Sequence, residues 1–369
     1  MTMLTPQTSA SSPVSVAAGA VIDATASRSA GNLDRRSAAI TISELLEEID
    51  DGYHDLNAKP WHTGFEVLDR TIGGGLFPGD MVILAGLPGV GKTVLSLQMA
   101  RNLARAGTPV TYVCFEHESA DLLRRLLVLE AREALLSTPR SVGGSWYRSE
   151  AVPDVLRHGR NSASGGSGAA VGSLRPLSVL QEDPALGIAR ETMDTYAGHF
   201  TLVSARPGTG SMERITALAA AMQQSGAGVL FIDYLQKIEV NWESEIGSVS
   251  AALKDVAMRF GVSVVAVAAI DGSEMSHKRL HINHLSDRGS VAYDADTVLL
   301  MNDKFRIIHP TNRPETTAAI QQMHTTVVIT VEKCRRAAAP SDVQLVKDFG
   351  SFRFESDSSF VQERLIAEE

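Results

Sequence analysis

The sequence predicts an α/β fold in which a mostly parallel, twisted sheet is flanked by helices. Short apolar runs alternate with helical runs along most of the chain, and this alternation is typical of parallel strands joined by helical crossovers. A glycine-rich motif separates one strand from the helix after it, and two later strands end in a carboxylate. Because ligands bind at the carboxyl ends of strands in such sheets, we expect a functional site at that edge.

The individual strands and helices follow from the spacing of the apolar residues. Strands are expected over 80–86, 109–116, 199–205, 228–234, 262–270, 295–302 and 325–334. Helices are expected over 93–107, 119–136, 211–226 and 248–261. Residues 137–186 are rich in Gly and Ser and lack periodic apolar residues over most of their length, so we predict a flexible surface insertion there.

Two segments precede this domain, which we place at 61–369. Residues 1–38 are rich in Ala, Ser and Thr and are expected to form a disordered tail. Residues 39–60 are expected to contain an amphipathic linker helix that starts with a capping box of Thr41 and Glu44. The sequence leaves open whether this helix packs on its own domain or on a neighbouring subunit.

The overall composition limits the classes of function. The chain has 369 residues, of which 44% are apolar and 21% charged, and a net charge of −9. A negative chain has no general attraction to nucleic acid or anionic membranes, so a polyanion site must be a local basic patch. No run approaches the roughly 18 apolar residues that span a bilayer. Cys114 and Cys334 are far apart in the sequence, which suits a cytoplasmic protein without disulfides.

The segment "GLPGVGKT" (86–93) matches the phosphate-binding pattern G-x-x-x-x-G-K-[ST]. Its glycines let backbone amides turn toward phosphate, and the N-terminus of the following helix adds partial positive charge. Its lysine supplies a cation for the β- and γ-phosphates, and its threonine supplies a hydroxyl for Mg²⁺. The predicted cofactor-binding residues are Gly86, Gly89, Gly91, Lys92, Thr93 and Val94.

Two carboxylates at strand ends are candidates for the rest of this site. Asp233 follows the apolar run 229–232, and beside a phosphate-binding loop a metal-supporting role is favoured over the capping of a turn. Glu116 ends the strand 109–116 and could polarise a water for attack on the γ-phosphate. The alternatives are that Glu118 has this role, or that Glu116 is a solvated acid before a helix.

A family resemblance rests on four segments, in this order along the chain: "TGFEVLDRTIGGGLFPGDMVILAGLPGVGKT", "FE", "FIDYLQ" and "GSVAYDADTVLLM". Together they resemble bacterial replicative hexameric helicases of the DnaB type over about residues 61–354. "ISELLEEID" resembles the linker helix of that family, while "IGGGL" and "FEHE" are also similar to the RecA, RadA and KaiC group. The resemblance implies a RecA-type P-loop ATPase fold and a homo-oligomeric ring, a hexamer, that binds ATP between subunits. It also implies action on single-stranded DNA.

The resemblance also implies roles for particular residues. Lys92 and Thr93 would bind the nucleotide and Mg²⁺, Asp233 would support the metal, and Glu116 would activate water. The family's Lys-x-Arg pair, which reaches the γ-phosphate of the neighbouring subunit, resembles Lys333 and Arg335 in "VEKCRR". A cation brought across an interface offsets charge in the transition state. Taken alone, these basic residues would be interpreted as a solvated strand end.

Several positions depart from the family pattern. Ala269 stands where the family has a Gln at the end of a strand, and Ser286 aligns with an Arg of the DNA-gripping loop, with Arg288 two residues on. The segment 239–247 is acidic, although counterion release on DNA needs Lys and Arg. We expect no counterpart of the family's N-terminal, primase-receiving domain. The leading hypothesis is an ATP-dependent DNA helicase or translocase; the alternative is a ring-forming ATP-binding regulatory or scaffold protein that does not unwind DNA.

A histidine cluster lies in the candidate DNA loop. His277, His281 and His284 are spaced so that a helix could present all three to a metal. However, Lys278 and Arg279 stand among them and no carboxylate does. We therefore favour a phosphate-contacting or plain surface loop over a metal site.

Overall fold

The computed structural model describes most of the chain in two units, Met1–Ala58 and Lys59–Glu369. The described residues are 41–50, 59–137, 184–205, 210–239, 249–270, 279–285, 290–309, 312, 314 and 316–366. The predicted tail and most of the predicted insertion lie outside them.

The described part of the first unit is a single helix, α1 (Ile42–Asp50). Its predicted capping box is confirmed: the Thr41 amide donates to Glu44 Oε2 at 2.8 Å, and the Glu44 amide donates to Thr41 Oγ1 at 3.2 Å. Ile42 and Leu46, one turn apart, are both exposed. The helix thus begins where the sequence predicts and presents apolar side chains to solvent.

The second unit is built on one large mixed sheet. Its strands are β1 (Met81–Gly86), β2 (Val110–Cys114), β3 (Phe200–Ser204), β4 (Val229–Asp233), β5 (Ser263–Ala269), β6 (Thr297–Asp303), β7 (Thr326–Cys334), β8 (Ser341–Asp348), β9 (Arg353–Phe354) and β10 (Ser359–Phe360). The spatial order is β10–β8–β7–β6–β1–β5–β4–β2–β3, with β9 paired to β8. All seven predicted strands are present, and β8, β9 and β10 are additions that the sequence did not predict.

The centre of the sheet is parallel and one side is antiparallel. β1 lies between β5 and β6 and runs parallel to both, and β4, β2 and β3 continue the parallel part. β7 and β8 run antiparallel to their neighbours. The prediction of a mostly parallel sheet is therefore confirmed, with β1 as the strand that leads into the phosphate-binding motif.

Helices cover both faces of the sheet. They are α2 (Glu66–Thr71), α3 (Lys92–Arg105), α4 (Ser119–Ser137), α5 (Pro184–Asp194), α6 (Met212–Gln224), α7 (Val249–Phe260), α8 (Ser290–Asp294), α9 (Lys304–Ile307) and α10 (Thr317–His324). Successive strand residues point to opposite faces, so Leu84 packs in a core with Leu95 of α3, and Ile83 in another with Leu253 of α7. Within the described ranges no helix is long and apolar enough to cross a bilayer.

Two helices border the predicted insertion. α4 ends at Ser137, and α5 begins at Pro184, inside the range predicted for the insertion. α5 packs against α4 through Leu186 and Ala189, which are buried against Leu127 and Ala131. These contacts pack the helix that precedes residues 138–183 against the helix that follows them.

Candidate nucleotide-binding site

The phosphate-binding loop joins the central strand β1 to the N-terminus of α3. Gly89 and Gly91 have φ values of +78° and +108°, a left-handed conformation that favours glycine. A Cβ on Gly91 would also lie 2.6 Å from Cζ of Phe349, so an aromatic ring packs directly on the loop. The loop therefore needs these glycines, and its geometry directs the free amides of α3 toward a bound anion.

Lys92 is folded back over its own loop. Its side chain is 4% exposed, and Nζ donates to the carbonyl oxygens of Gly86 at 2.7 Å and Leu87 at 3.0 Å. Burial lowers the pKa of Lys92 to about 8, although the carboxylates of Asp233 and Glu116 act in the opposite direction. The ammonium is thus desolvated, and it could exchange carbonyl oxygens for phosphate oxygens with little loss of solvation.

Asp233, the last residue of β4, is 1% exposed. Its Oδ2 accepts a hydrogen bond of 3.1 Å from the Tyr112 hydroxyl, which also contacts Ser96 Oγ of α3 at 2.8 Å. Burial raises the pKa of Asp233, while the hydroxyls of Thr93 and Tyr112 and the Lys92 ammonium lower it. The carboxylate is therefore fixed in place between β2, β4 and α3.

A magnesium ion would fit beside Asp233. Its Oδ1 is buried and has no hydrogen-bond partner among the residues that the structure describes. Such an atom is costly unless a ligand satisfies it, and Mg²⁺ takes oxygen ligands from one or two carboxylates together with phosphates. The Thr93 hydroxyl lies close enough to Asp233 to lower its pKa, so both predicted metal-supporting residues are next to each other.

Glu116 lies two residues beyond β2 and is exposed. Its charge raises the pKa of Lys92 and that of Asp233, so it lies within electrostatic reach of both. Glu118 instead lies at the start of α4, where its carbonyl oxygen accepts a hydrogen bond from the Asp121 amide at 2.9 Å. Of the two acids that the sequence left open, Glu116 is the one whose charge acts on both Lys92 and Asp233.

Tyr234 connects these groups, and the sequence analysis did not assign it a role. Burial raises the pKa of Tyr234 to about 12, with further effects from the nearby side chains of Asp233, Glu116 and Thr93. The Lys92 ammonium lies 5.7 Å from the centre of its ring. The sequence could have indicated Tyr234, because it directly follows Asp233. It lies in the segment "FIDYLQ", which was used only as evidence for the family resemblance.

Gln236 is a second residue that the sequence analysis missed. Its side-chain amide donates to the Ala269 carbonyl oxygen at 2.9 Å and accepts from the Ala269 amide at 3.1 Å. Ala269 ends β5 and pairs with Gly86 at the start of the loop. Gln236 therefore fixes the end of β5 beside the phosphate-binding loop. Ser286, Arg288 and nearly all of the acidic segment lie outside the described residues.

Lys333 and Arg335 lie on a different part of the sheet from the loop. Lys333 pairs with Val298 on β6, whereas Gly86 pairs with Met301 on the same strand. From 298 to 301 is three residues, or about 10 Å of strand, and Lys333 lies on the side away from the loop. The structure therefore brings Lys92, Thr93, Asp233 and Glu116 together but leaves Lys333 and Arg335 apart from them.

Both cations are held by the end of α8. Lys333 Nζ donates to the carbonyl oxygens of Ala292 at 2.7 Å and Tyr293 at 3.1 Å. Arg335 donates to the same Tyr293 oxygen at 3.1 Å and forms an ion pair of 3.2 Å with Asp296. Burial and the Arg335 charge lower the pKa of Lys333. The pair is thus oriented by backbone oxygens, which a phosphate group could replace.

The next residue, Arg336, is engaged differently. It makes two hydrogen bonds to Asp80, of 2.8 and 2.9 Å, and stacks on the Phe77 ring at 4.1 Å. The Arg335 side chain is 52% exposed and has no such ring contact in the described part of the chain. Arg336 therefore makes the more extensive contacts within the chain, although both side chains are partly exposed, Arg335 at 52% and Arg336 at 44%.

The histidine segment does not form a metal site in the described residues. His281 Nδ1 lies 2.9 Å from Glu332 Oε1, and the His281 amide donates to His284 Nδ1 at 2.8 Å. Arg279 makes two hydrogen bonds to Asp342. Ile282–His284 is a single 3₁₀ turn, and no group of three possible metal ligands occurs in the described ranges. Lys278 and His277 lie outside them.

The fold and the loop define a P-loop nucleotide-binding protein of the RecA-type class. Residues 61–139 and 186–356 match the family described as DnaB-like helicase C terminal domain. The match covers well over half of the chain, so the chain belongs to this family. The unmatched stretch between the two parts, 140–185, falls inside the predicted insertion.

Characterised proteins agree with this assignment. The chain is 25% identical over 265 residues to the replicative DNA helicase DnaC of Bacillus subtilis, which covers 69% of this chain and 49% of that protein. It is 29% identical over 180 residues to the DNA repair protein RadA of Mycobacterium tuberculosis, covering 47% of this chain and 38% of that one. The chain thus spans about half or less of the length of these relatives.

Solved structures show the same fold. One of them, an isolated ATPase domain, superposes with a TM-score of 0.60 and 18% identity, covering 86% of this chain and 99% of that one. A DnaB-like replicative helicase, solved in a study of its interactions with primase, also gives 0.60, with 19% identity, 91% of this chain and 73% of that one. The predicted RecA-type fold is therefore confirmed.

Proposed function

We propose that this chain is an ATP-hydrolysing motor that forms a homo-hexameric ring and translocates on single-stranded DNA in the cytoplasm. The observation that supports this most is the division of the charged groups. One edge of the sheet gathers Lys92, Thr93, Asp233 and Glu116 around the phosphate-binding loop, whereas Lys333 and Arg335 are turned away from it. Such an arrangement suits a nucleotide held between two copies of the chain.

In this proposal the loop end binds ATP. The amides of the loop and of α3 would hold the phosphates, and Lys92 would exchange the Gly86 and Leu87 oxygens for phosphate oxygens. Thr93 and Asp233 Oδ1 would hold Mg²⁺, which neutralises charge on the phosphates when bound. The Tyr112 hydroxyl keeps Asp233 in position.

Glu116 would be the general base. An exposed carboxylate near the loop can accept a proton from water as that water attacks the γ-phosphate. The Tyr234 side chain, which lies near enough to Thr93 and Glu116 for both to affect its pKa, would place this carboxylate beside the metal side of the site. Water activation and metal binding would then be aligned by a single side chain.

Lys333 and Arg335 would complete the site from the neighbouring subunit. Their contacts with carbonyl oxygens at the end of α8 keep the two cations side by side. On closure of the interface these cations would contact the neighbour's γ-phosphate and stabilise its developing charge, an effect of roughly 10³-fold or more in related enzymes.

The experiment that tests this function is the ATPase rate with and without single-stranded DNA. We expect hydrolysis that DNA stimulates, and we expect Lys92→Ala to abolish it. Glu118→Gln is the matched control, because Glu118 lies at the start of α4 rather than at the loop. A rate in the wild type that is indifferent to DNA would contradict the translocase and leave a ring-forming ATP-binding protein without unwinding activity.

A further inference from the structure

Tyr293 is an aromatic residue that the fold itself does not use. It is 80% exposed, although its neighbours Val291 and Ala295 are 3% and 0% exposed. The ring therefore points away from the core while the backbone around it is anchored inside. A single exposed aromatic residue is common on protein surfaces, so the significance of Tyr293 depends on what its backbone holds.

The backbone of Tyr293 holds the two cations of the proposed interface. Its carbonyl oxygen accepts hydrogen bonds from both Lys333 and Arg335, each of 3.1 Å. The Tyr293 ring therefore belongs to the same residue whose carbonyl oxygen orients both cations. A subunit that receives Lys333 and Arg335 must meet this ring as well.

The end of α8 is fixed to the rest of the domain on its other side. Ser250 of α7 donates to Asp294 at 2.5 Å. Two residues on, Asp296 accepts from the Met81 amide at 2.7 Å and from Lys254 at 2.6 Å. The end of α8 and the residues just after it are thus tied to α7 and to β1.

We propose that Tyr293 is a positioning residue for the composite site. Its ring packs on an adjacent copy of this chain, next to that copy's phosphate-binding loop, and sets the distance at which Lys333 and Arg335 meet the γ-phosphate. This inference rests on the proposed function. Tyr and Arg are among the residue types most enriched at energetically important interface positions, and Arg335 lies beside Tyr293 because it donates to the Tyr293 carbonyl oxygen.

Tyr293→Ala, Tyr293→Phe and Phe360→Ala, made in the full chain, test this inference. Phe360 is the matched control because it is also an exposed aromatic, at 50%, but lies on β10 at the sheet edge. ATP hydrolysis is measured at a protein concentration where mass photometry shows complete rings. Binding of a fluorescent ATP analogue is measured in parallel.

We expect Tyr293→Ala to lower kcat by roughly 30- to 100-fold, as a displacement of about 1 Å of catalytic groups does. The affinity for the analogue should stay within about twofold, because the loop that binds it is intact. Tyr293→Phe, which keeps the ring, should retain most of the activity, and Phe360→Ala all of it.

Two other results would overturn the inference. One is a wild-type kcat in Tyr293→Ala rings while Arg335→Ala is inactive, since the interface would then act without the ring. The other is an equal loss in Phe360→Ala, since the effect would then be a general one of surface aromatics. An inactive wild type would instead refute the proposed function on which the inference rests.

Discussion

The two ends of the sheet hold their charged groups in opposite ways. At the loop end, Lys92 and Asp233 are 4% and 1% exposed and are fixed by hydrogen bonds inside the chain. At the other end, Arg335 is half exposed and bonded to a backbone oxygen and to Asp296. In the proposed function, the first end receives phosphate within one chain and the second presents cations to another chain. Each protomer is therefore proposed to carry two unlike halves of a site.

The largest effect is expected at the presenting end. Arg335→Ala should lower kcat by about 10³-fold, because a cation supplied across an interface has an effect of that size on phosphoryl transfer. The free energy of unfolding should fall by no more than about 1 kcal/mol, because the side chain is half exposed and solvent screens its ion pair with Asp296. Steady-state ATP hydrolysis and urea unfolding of the same sample check both expectations.

The matched control at this end is Arg336→Ala. It removes two hydrogen bonds to Asp80 and the contact with Phe77, so the free energy of unfolding should fall by about 1–3 kcal/mol. The kcat of the folded fraction should be retained. The reverse pattern, with Arg336 needed for turnover and Arg335 for stability, would exchange the roles assigned to the two arginines.

At the receiving end, Glu116→Gln should lower kcat by about 10²- to 10³-fold, as the loss of a general base does. The affinity for ATP should change little, because phosphate binding depends on the loop. Glu118→Gln should be close to the wild type. Single-turnover hydrolysis separates chemistry from release, and a slow Glu118→Gln beside an active Glu116→Gln would exchange these assignments.

The pKa of Lys92 predicts a pH dependence of ATP binding. With a pKa of about 8 in the folded chain, the ammonium is charged below pH 7, and its charge is lost as the pH rises through 8. The Kd for ATP should therefore rise by up to about tenfold per pH unit above pH 8. The measurement is the Kd for ATP of the wild type and of Lys92→Ala from about pH 6.5 to about pH 9.5, a range that brackets the pKa of Lys92. The Kd of the variant should not show this rise with pH.

The lowered pKa of Lys92 also makes the free energy of unfolding depend on pH. Because the folded-state pKa lies below the ordinary value of 10.5, the unfolded chain binds the Lys92 proton more tightly. Wild-type stability should therefore rise relative to Lys92→Met as the pH goes from about 8 to 10.5. Urea unfolding across this window checks the sign, and a relative fall would contradict the buried, desolvated ammonium.

The arrangement of strands was largely predictable, whereas several contacts were not. Alternating apolar runs indicated all seven strands from β1 to β7. β8 was missed because only Val343 and Leu345 of its residues are fully buried, which leaves too short an alternation to recognise. The contacts of Tyr234 depend on the pairing of Cys114 with Asp233, residues far apart in the chain. Sequence spacing cannot reveal such a pairing.

The residues of the candidate site also divide into those that the sequence predicted and those that it did not. Lys92, Thr93 and Asp233 follow a local motif and a strand end, so their types and spacing were sufficient to predict that they lie together at one edge of the sheet. Gln236 follows β4 and reaches Ala269 at the end of the adjacent strand β5, and the sequence showed only the absence of a polar side chain at 269. The alanine suggested that this strand end has no polar side-chain contact. In the structure, the side-chain amide of Gln236 is hydrogen bonded to the strand end.

The smallest effect is expected from the Gln236 clamp, the two hydrogen bonds that join the Gln236 side chain to Ala269. Gln236→Ala removes two hydrogen bonds from an exposed side chain, so the free energy of unfolding should fall by about 1 kcal/mol. ATP binding should persist, because Lys92 and the loop glycines are untouched. Thermal unfolding in parallel with analogue binding checks this, and a complete loss of nucleotide binding would show that the clamp is part of the loop site itself.

The claim that one protomer carries two unlike half-sites is tested most directly by mixing two inactive variants. Lys92→Ala keeps the cations of the presenting end, and Arg335→Ala keeps the phosphate-binding loop. Rings assembled from an equal mixture contain interfaces in which an intact loop meets intact cations, so ATP hydrolysis should reappear well above that of either variant alone. Mixing the double variant Lys92→Ala/Arg335→Ala with either single variant is the control and should stay inactive. No recovery in mixed rings, verified by mass photometry, would contradict the account by placing both halves in one chain.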